Sequence, residues 1–182
     1  MNRVKAIAAT LGGLAIAGAL TACSTAGAEA TLPARNISLT TTAAPASIDV
    51  PKGNKLVATL AARGVQVYQC IDKAWTLLEP DATLKDGDEV VALHSRGPIW
   101  VSTVDGSAVN AAAVPGASVQ RDGAVPELLL KAAATRGDGV FGKVTFVQRL
   151  DTLGGLAPAG TCLPGTQVSS PYEAKYTFFV AE

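Results

Sequence analysis

From Ile48 to the end of the chain, apolar and polar residues alternate with a period of two. That period belongs to strands half-buried against a core. "KLVATLAA" and "VQVYQCI" are two such runs, separated by Arg63-Gly64, which reads as a tight turn. "WTLL" follows a polar gap, with Trp75 as a core or edge aromatic. "EVVALHS" and "PIWVSTV" flank Arg96-Gly97 and form a further pair. Asp105-Gly106 sits between "WVSTV" and "SAVNAAAV", and both residues tolerate the positive φ of a type I′ hairpin turn. "KVTFVQRL" and "EAKYTFFVA" complete the set.

One segment breaks the pattern. "PELLLKAAATR" opens with Pro126, suited to a first helical turn, and Glu127, suited to the positive end of a helix dipole. Its leucines and alanines are strong helix formers, and Gly137 follows where a helix would stop. The pattern therefore predicts an all-β domain, an antiparallel sandwich or barrel, with one short helix.

The N-terminus has a different character. Residues 1–22 carry Arg3 and Lys5, then an apolar run from Ala6 to Leu20, as a secretory signal does. Leu20-Thr21-Ala22-Cys23 resembles the bacterial lipobox, which implies cleavage before Cys23 and lipidation of its thiol. Several acyl chains, at about 0.8 kcal/mol per buried methylene, make a durable anchor. No Asp follows the cysteine, so the sorting rule of Gram-negative lipoproteins points to the outer membrane. Residues 23–47 are rich in Ala, Thr, Ser and Pro without apolar period, and read as a lipidated tether. Residues 48–182 then form a single β-rich domain of ordinary size.

Charge narrows the partners. The signal takes two of the fifteen basic residues and none of the fifteen acidic ones, which leaves a mature net charge of −2. A nucleic-acid binder would show a basic stripe, so none is expected. With Cys23 lipidated, Cys70 and Cys162 remain as an even pair in an oxidising compartment and predict a disulfide. Closing so long a loop is worth about 4–5 kcal/mol in the chain-entropy model.

Residues 137–142, "GDGVFG", have the spacing G-x-G-x-x-G. A dinucleotide turn must follow a strand and open a helix, so that the helix N-terminus meets the pyrophosphate. Here the order reads as helix, glycines, strand, so no nucleotide and no other cofactor is expected. One histidine and scattered carboxylates, Asp86, Asp88 and Glu89 among them, make no zinc or EF-hand set, and no metal is expected.

Candidate chemistry gathers in "LHSRGPIWVSTVDGS". His94, Ser107 and Asp105 are the catalytic candidates, with Ser95 as the other serine. Against them, adjacent His94 and Ser95 point to opposite faces of a strand, Asp105 serves a turn, and no G-x-S-x-G elbow exists. His94, Trp100 and Tyr68 as aromatics, with Arg96 as the polar contact, are the ligand-binding candidates. The rival role for Tyr68, Trp75 and Trp100 is simply core.

The motifs "VPKGNKLVATLAARGVQVYQC", "WTLLEPDATL", "HSRGPIW", "DGS" and "TLGGLAPAGTC", in this order, resemble the domain of unknown function 3455 family. The likeness runs from about Val50 to Phe179. It implies a secreted or lipidated protein without established activity, and it supports a bridge between Cys70 and Cys162. Two positions depart from the family pattern: Ser95 and Glu127 stand where aromatics are common. The expected role is a non-enzymatic envelope module, either structural or binding an envelope ligand or protein. The alternatives are a small hydrolase using His94 with Ser107 or Ser95, and a lysozyme-inhibitor-like protein.

Overall fold

The computed structural model describes residues 46–182. The signal (1–22), Cys23 and nearly all of the tether (23–47) lie outside the described residues. Eight antiparallel strands follow one another around a closed ring: β1 (Asn54–Ile71), β2 (Ala74–Asp86), β3 (Glu89–Ser95), β4 (Ile99–Ser102), β5 (Ala108–Arg121), β6 (Ala124–Arg136), β7 (Val144–Gly154) and β8 (Gln167–Ala181). The last strand pairs with the first, from Asn54↔Ala181 to Gln69↔Gln167, which leaves no sheet edge. The all-β expectation holds, as a barrel.

The expected helix is a strand. "PELLLKAAATR" lies in β6, paired to β5 and β7. Leu128 and Leu130 face the barrel interior. Leu129 faces outward, into a second cluster with Ile48, Ala117 and Leu150. A strand buried on both faces shows an unbroken apolar run, which periodicity cannot tell from a helix. Pairing on both sides then outweighs the helix propensity of Leu and Ala. Pro126 fits because the β6–β7 register is interrupted between Ala124 and Leu128.

Two turn expectations also change. Arg63-Gly64 is no turn, for β1 runs through it. A Cβ on Gly64 would overlap the Asp81 carbonyl and Ala82 of the neighbouring strand, so glycine here permits close backbone approach. The actual β1–β2 turn is Asp72-Lys73, both at positive φ (51° and 65°), between paired Ile71 and Ala74. Asp105-Gly106 does lie in a hairpin connection, but only Gly106 has positive φ (70°), and the loop is longer than a two-residue turn.

The interior alternates small and large. Ala62, Ala82, Ala92 and Ala111 leave room for Trp100, Tyr172, Tyr176 and Phe178, all of which are fully buried. Eight-stranded barrels enclose just enough space for such a filling or for one small ligand. Outside the ring, the 3-10 turn Ala46–Ile48 covers β5 to β7. Its Ile48 is fully buried, worth roughly 1.5–3 kcal/mol, and the Ile48 carbonyl accepts from Gln148 Nε2 at 2.7 Å.

Candidate functional site

Inside one end of the barrel lies a cavity of about 290 Å³, and every strand contributes to its wall. Gln66 comes from β1, Pro80 from β2, His94 from β3, Trp100 from β4, Ala113 from β5, Leu128 and Leu130 from β6, Arg149 from β7 and Tyr176 from β8. The β3–β4 turn adds Gly97 and Pro98 at the rim. The strand period explains the assembly. Leu60, Ala62, Gly64 and Gln66 share one parity in β1, and Val147 and Arg149 share one in β7. Gln66 and Arg149 therefore stand at inward positions that a packed core would give to apolar residues.

His94 and Trp100 form the centre of this wall. They face each other across β3 and β4, with ring centroids 4.3 Å apart and planes within 4°. Tyr176 meets both edge-on, at 5.2 and 5.3 Å. His94 Nδ1 lies 2.9 Å from the Ile99 carbonyl. A carbonyl only accepts, so Nδ1 carries the proton and Nε2 keeps a free lone pair. Burial pushes the imidazole down to about 4, against a smaller upward pull from the Ile99 hydrogen bond, while nearby Arg149 adds to the depression. At neutral pH it is uncharged.

Two donors of the wall are chemically unspent, and among the described residues its guanidinium lacks a carboxylate partner. Trp100 Nε1 and Gln66 Nε2 are buried donors with no hydrogen-bond partner. Their residues are 0% and 1% exposed. Arg149 is held in place by its Nε and Nη2, which donate to the Pro126 carbonyl at 3.0 and 2.8 Å. Among the described residues, no carboxylate forms an ion pair with it.

The binding candidates divide. His94 and Trp100 come together in the cavity wall. Tyr68 lies elsewhere in the core, its hydroxyl donating to the Gly155 carbonyl at 2.6 Å. Arg96 is exposed and pairs with Glu79 at 3.3 Å, outside the cavity wall that Glu79 joins. The cation of the site is Arg149 instead. Arg149 and Gln66 were missed because each sits in an ordinary strand run; the available signal was a polar residue at core parity.

The catalytic candidates divide too. Ser95 is exposed while His94 is buried, as adjacent strand positions require. No hydrogen bond joins His94 to a serine among the described residues. Asp105 and Ser107 instead form a structural clip. Asp105 Oδ1 accepts from Ser107 N (2.9 Å) and Oγ (2.6 Å), and Oδ2 accepts from Val140 N at 3.0 Å. Ser107 Oγ in turn accepts from Phe141 N at 3.0 Å. The serine and backbone donors hold the Asp105 carboxyl well below the usual carboxylate range.

This clip explains the glycine motif. "GDGVFG" connects strand β6 to strand β7, so the expectation that it follows a helix is corrected. Gly137 takes φ +77° against Ser107. A Cβ on Gly139 would overlap the Asp105 carboxylate, and one on Gly142 would overlap the Gly137 carbonyl. Gly137 and Gly139 are required by packing of this loop on the "DGS" loop, and Gly142 by the fold of the glycine loop on itself.

Cys70 and Cys162 are bridged, with Cα atoms 5.8 Å apart across a sequence separation of 92. The bridge ties the end of β1 to the β7–β8 connection, where Cys70 N also donates to the Thr166 carbonyl at 2.8 Å.

No curated protein and no solved structure matches the chain. A family model described as "Protein of unknown function (DUF3455)" matches residues 51–180, which span all eight strands save the last residue of β8. The chain belongs to that family.

Proposed function

We propose that this chain is an exported lipoprotein, cut before Cys23 and held at the outer membrane through that residue, and that its barrel binds a small ligand without transforming it. The basic-then-apolar leader and the Leu20–Cys23 box support the anchor. The disulfide fits an oxidising compartment.

One observation carries the binding reading: two residues that line a single cavity, Trp100 and Gln66, each hold a buried N–H donor without a partner. Buried polar groups are nearly always satisfied, and each orphan costs about 1–3 kcal/mol. A ligand that accepts from both removes that cost. A volume near 300 Å³ suits a small molecule. His94 stacks on Trp100, is bonded through Nδ1 to Ile99 and, among the described residues, has no serine bonded to it, so a binding role is favoured over hydrolysis.

Native mass spectrometry of the full-length protein, released from bacterial membranes, tests the reading. A small molecule should be retained by the wild type and lost from Ala113→Trp, which blocks the rim from an exposed position. Identical spectra without adducts from both proteins refute it. Cys23→Ala should move the protein from the membrane to the soluble fraction and abolish palmitate labelling.

A further inference from the structure

We infer that the cavity takes a small monocarboxylate, its head group against Arg149, Trp100 Nε1 and Gln66 Nε2 and its apolar body against Leu128 and Leu130. The inference rests on the binding reading above and specifies the ligand class. Apart from the lone pair of His94 Nε2, the unspent groups of the wall are donors, and beside them stands a guanidinium without a carboxylate partner. Planar guanidinium and flanking N–H groups suit a carboxylate head.

The other charges agree. His94 is neutral at physiological pH, since burial pushes it down to about 4, so it adds no second cation. Glu79, the acidic residue of the wall, is engaged by Arg96 at 3.3 Å. One uncompensated cation matches one negative charge, which disfavours a dianion such as phosphate. A cationic ligand would face Arg149 directly. Leucine and proline walls add no partner for the rest of an inorganic ion, so the anion is organic.

The test uses full-length protein labelled with ¹⁵N-tryptophan. The chain has two tryptophans, and Trp75→Phe assigns the Trp100 indole signal. Benzoate, benzamide and benzylamine serve as probes of one shape and three charges. Benzoate should shift the Trp100 indole N–H and bind at least tenfold more tightly than either neutral or cationic probe. Arg149→Gln should abolish that preference, and Arg149→Lys should keep part of it. Arg149 also secures the Pro126 carbonyl, so Gln66→Met gives an independent check: benzoate binding weaker by about tenfold, as loss of one hydrogen bond to a charged group predicts. Equal or tighter binding of benzamide overturns the carboxylate inference and leaves the cavity reading standing. If no probe moves the Trp100 signal, the inference fails, and retention of another molecule by the wild type decides the cavity reading separately.

Discussion

Acidification from pH 7 to 4 should weaken the fold by about 3 kcal/mol through one side chain. His94 is 3% exposed, and burial pushes it from 6.5 down to about 4. In the unfolded chain it titrates normally. Between those two values the unfolded state binds a proton that the folded state refuses, so stability must fall as pH falls. The full contribution is present above about 6.5, is lost progressively as pH drops to about 4, and then levels off. The gap, at 1.36 kcal/mol per pH unit, sets about 3 kcal/mol. Asp105 lies outside this window: its folded carboxyl is depressed, so its contribution begins to fade only below the ordinary aspartate value. Urea denaturation at half-unit steps from pH 7.5 to 4.5 measures the slope, with His94→Phe as control. The variant keeps an aromatic face against Trp100 but has nothing to protonate. If its slope equals that of the wild type between pH 6.5 and 4.5, or if His94 titrates near 6.5 by NMR, the argument is refuted.

Other outcomes follow from features already described. Reducing the Cys70–Cys162 bridge, or replacing both residues by Ala, should lower unfolding free energy by about 2–4 kcal/mol, read by denaturation with and without reductant. Arg121→Met strands Glu127, which is 1% exposed and otherwise keeps only the Asp151 N–H. Chemical denaturation should show a loss of stability, because Glu127 stays buried when its partner is removed, moderated because Arg121 itself reaches water. Adding Glu127→Gln to that variant should restore part of the loss. Asp105→Ala and Gly139→Ala should give the same phenotype, faster hydrogen exchange at Val140 and Phe141, since both release the carboxylate from the glycine loop.

Strands were legible wherever one face met water. β3 alternates cleanly through His94, and "KVTFVQRL" announces β7. The Leu128–Leu130 run failed for the opposite reason: the ring takes two of its leucines and the Ile48 cluster takes the third. Glu127, read as a dipole partner, is a buried anion bonded to Arg121 at 2.7 Å, a contact across a hairpin that local pattern cannot display. Arg63-Gly64 misled because a glycine that admits a neighbouring backbone and a glycine that turns the chain look alike in one sequence. The disulfide was legible once Cys23 was set aside in the lipobox and the other two cysteines were left as a pair. The cavity was half legible. His94 and Trp100 stood out by type, whereas Gln66 and Arg149 are conspicuous only once strand parity is known.

Ring closure through β1 and β8 sets an order of events during synthesis. Every nascent fragment that ends before residue 167 has two open edges, because the partner of β1 has not yet been made. Cys70 likewise waits for a thiol 92 residues downstream. Contacts this distant form slowly, since loop-closure entropy must be met before they bring any gain. The polypeptide thus stays unlocked until its final segment emerges, and ring and crosslink are completed together at the end of synthesis.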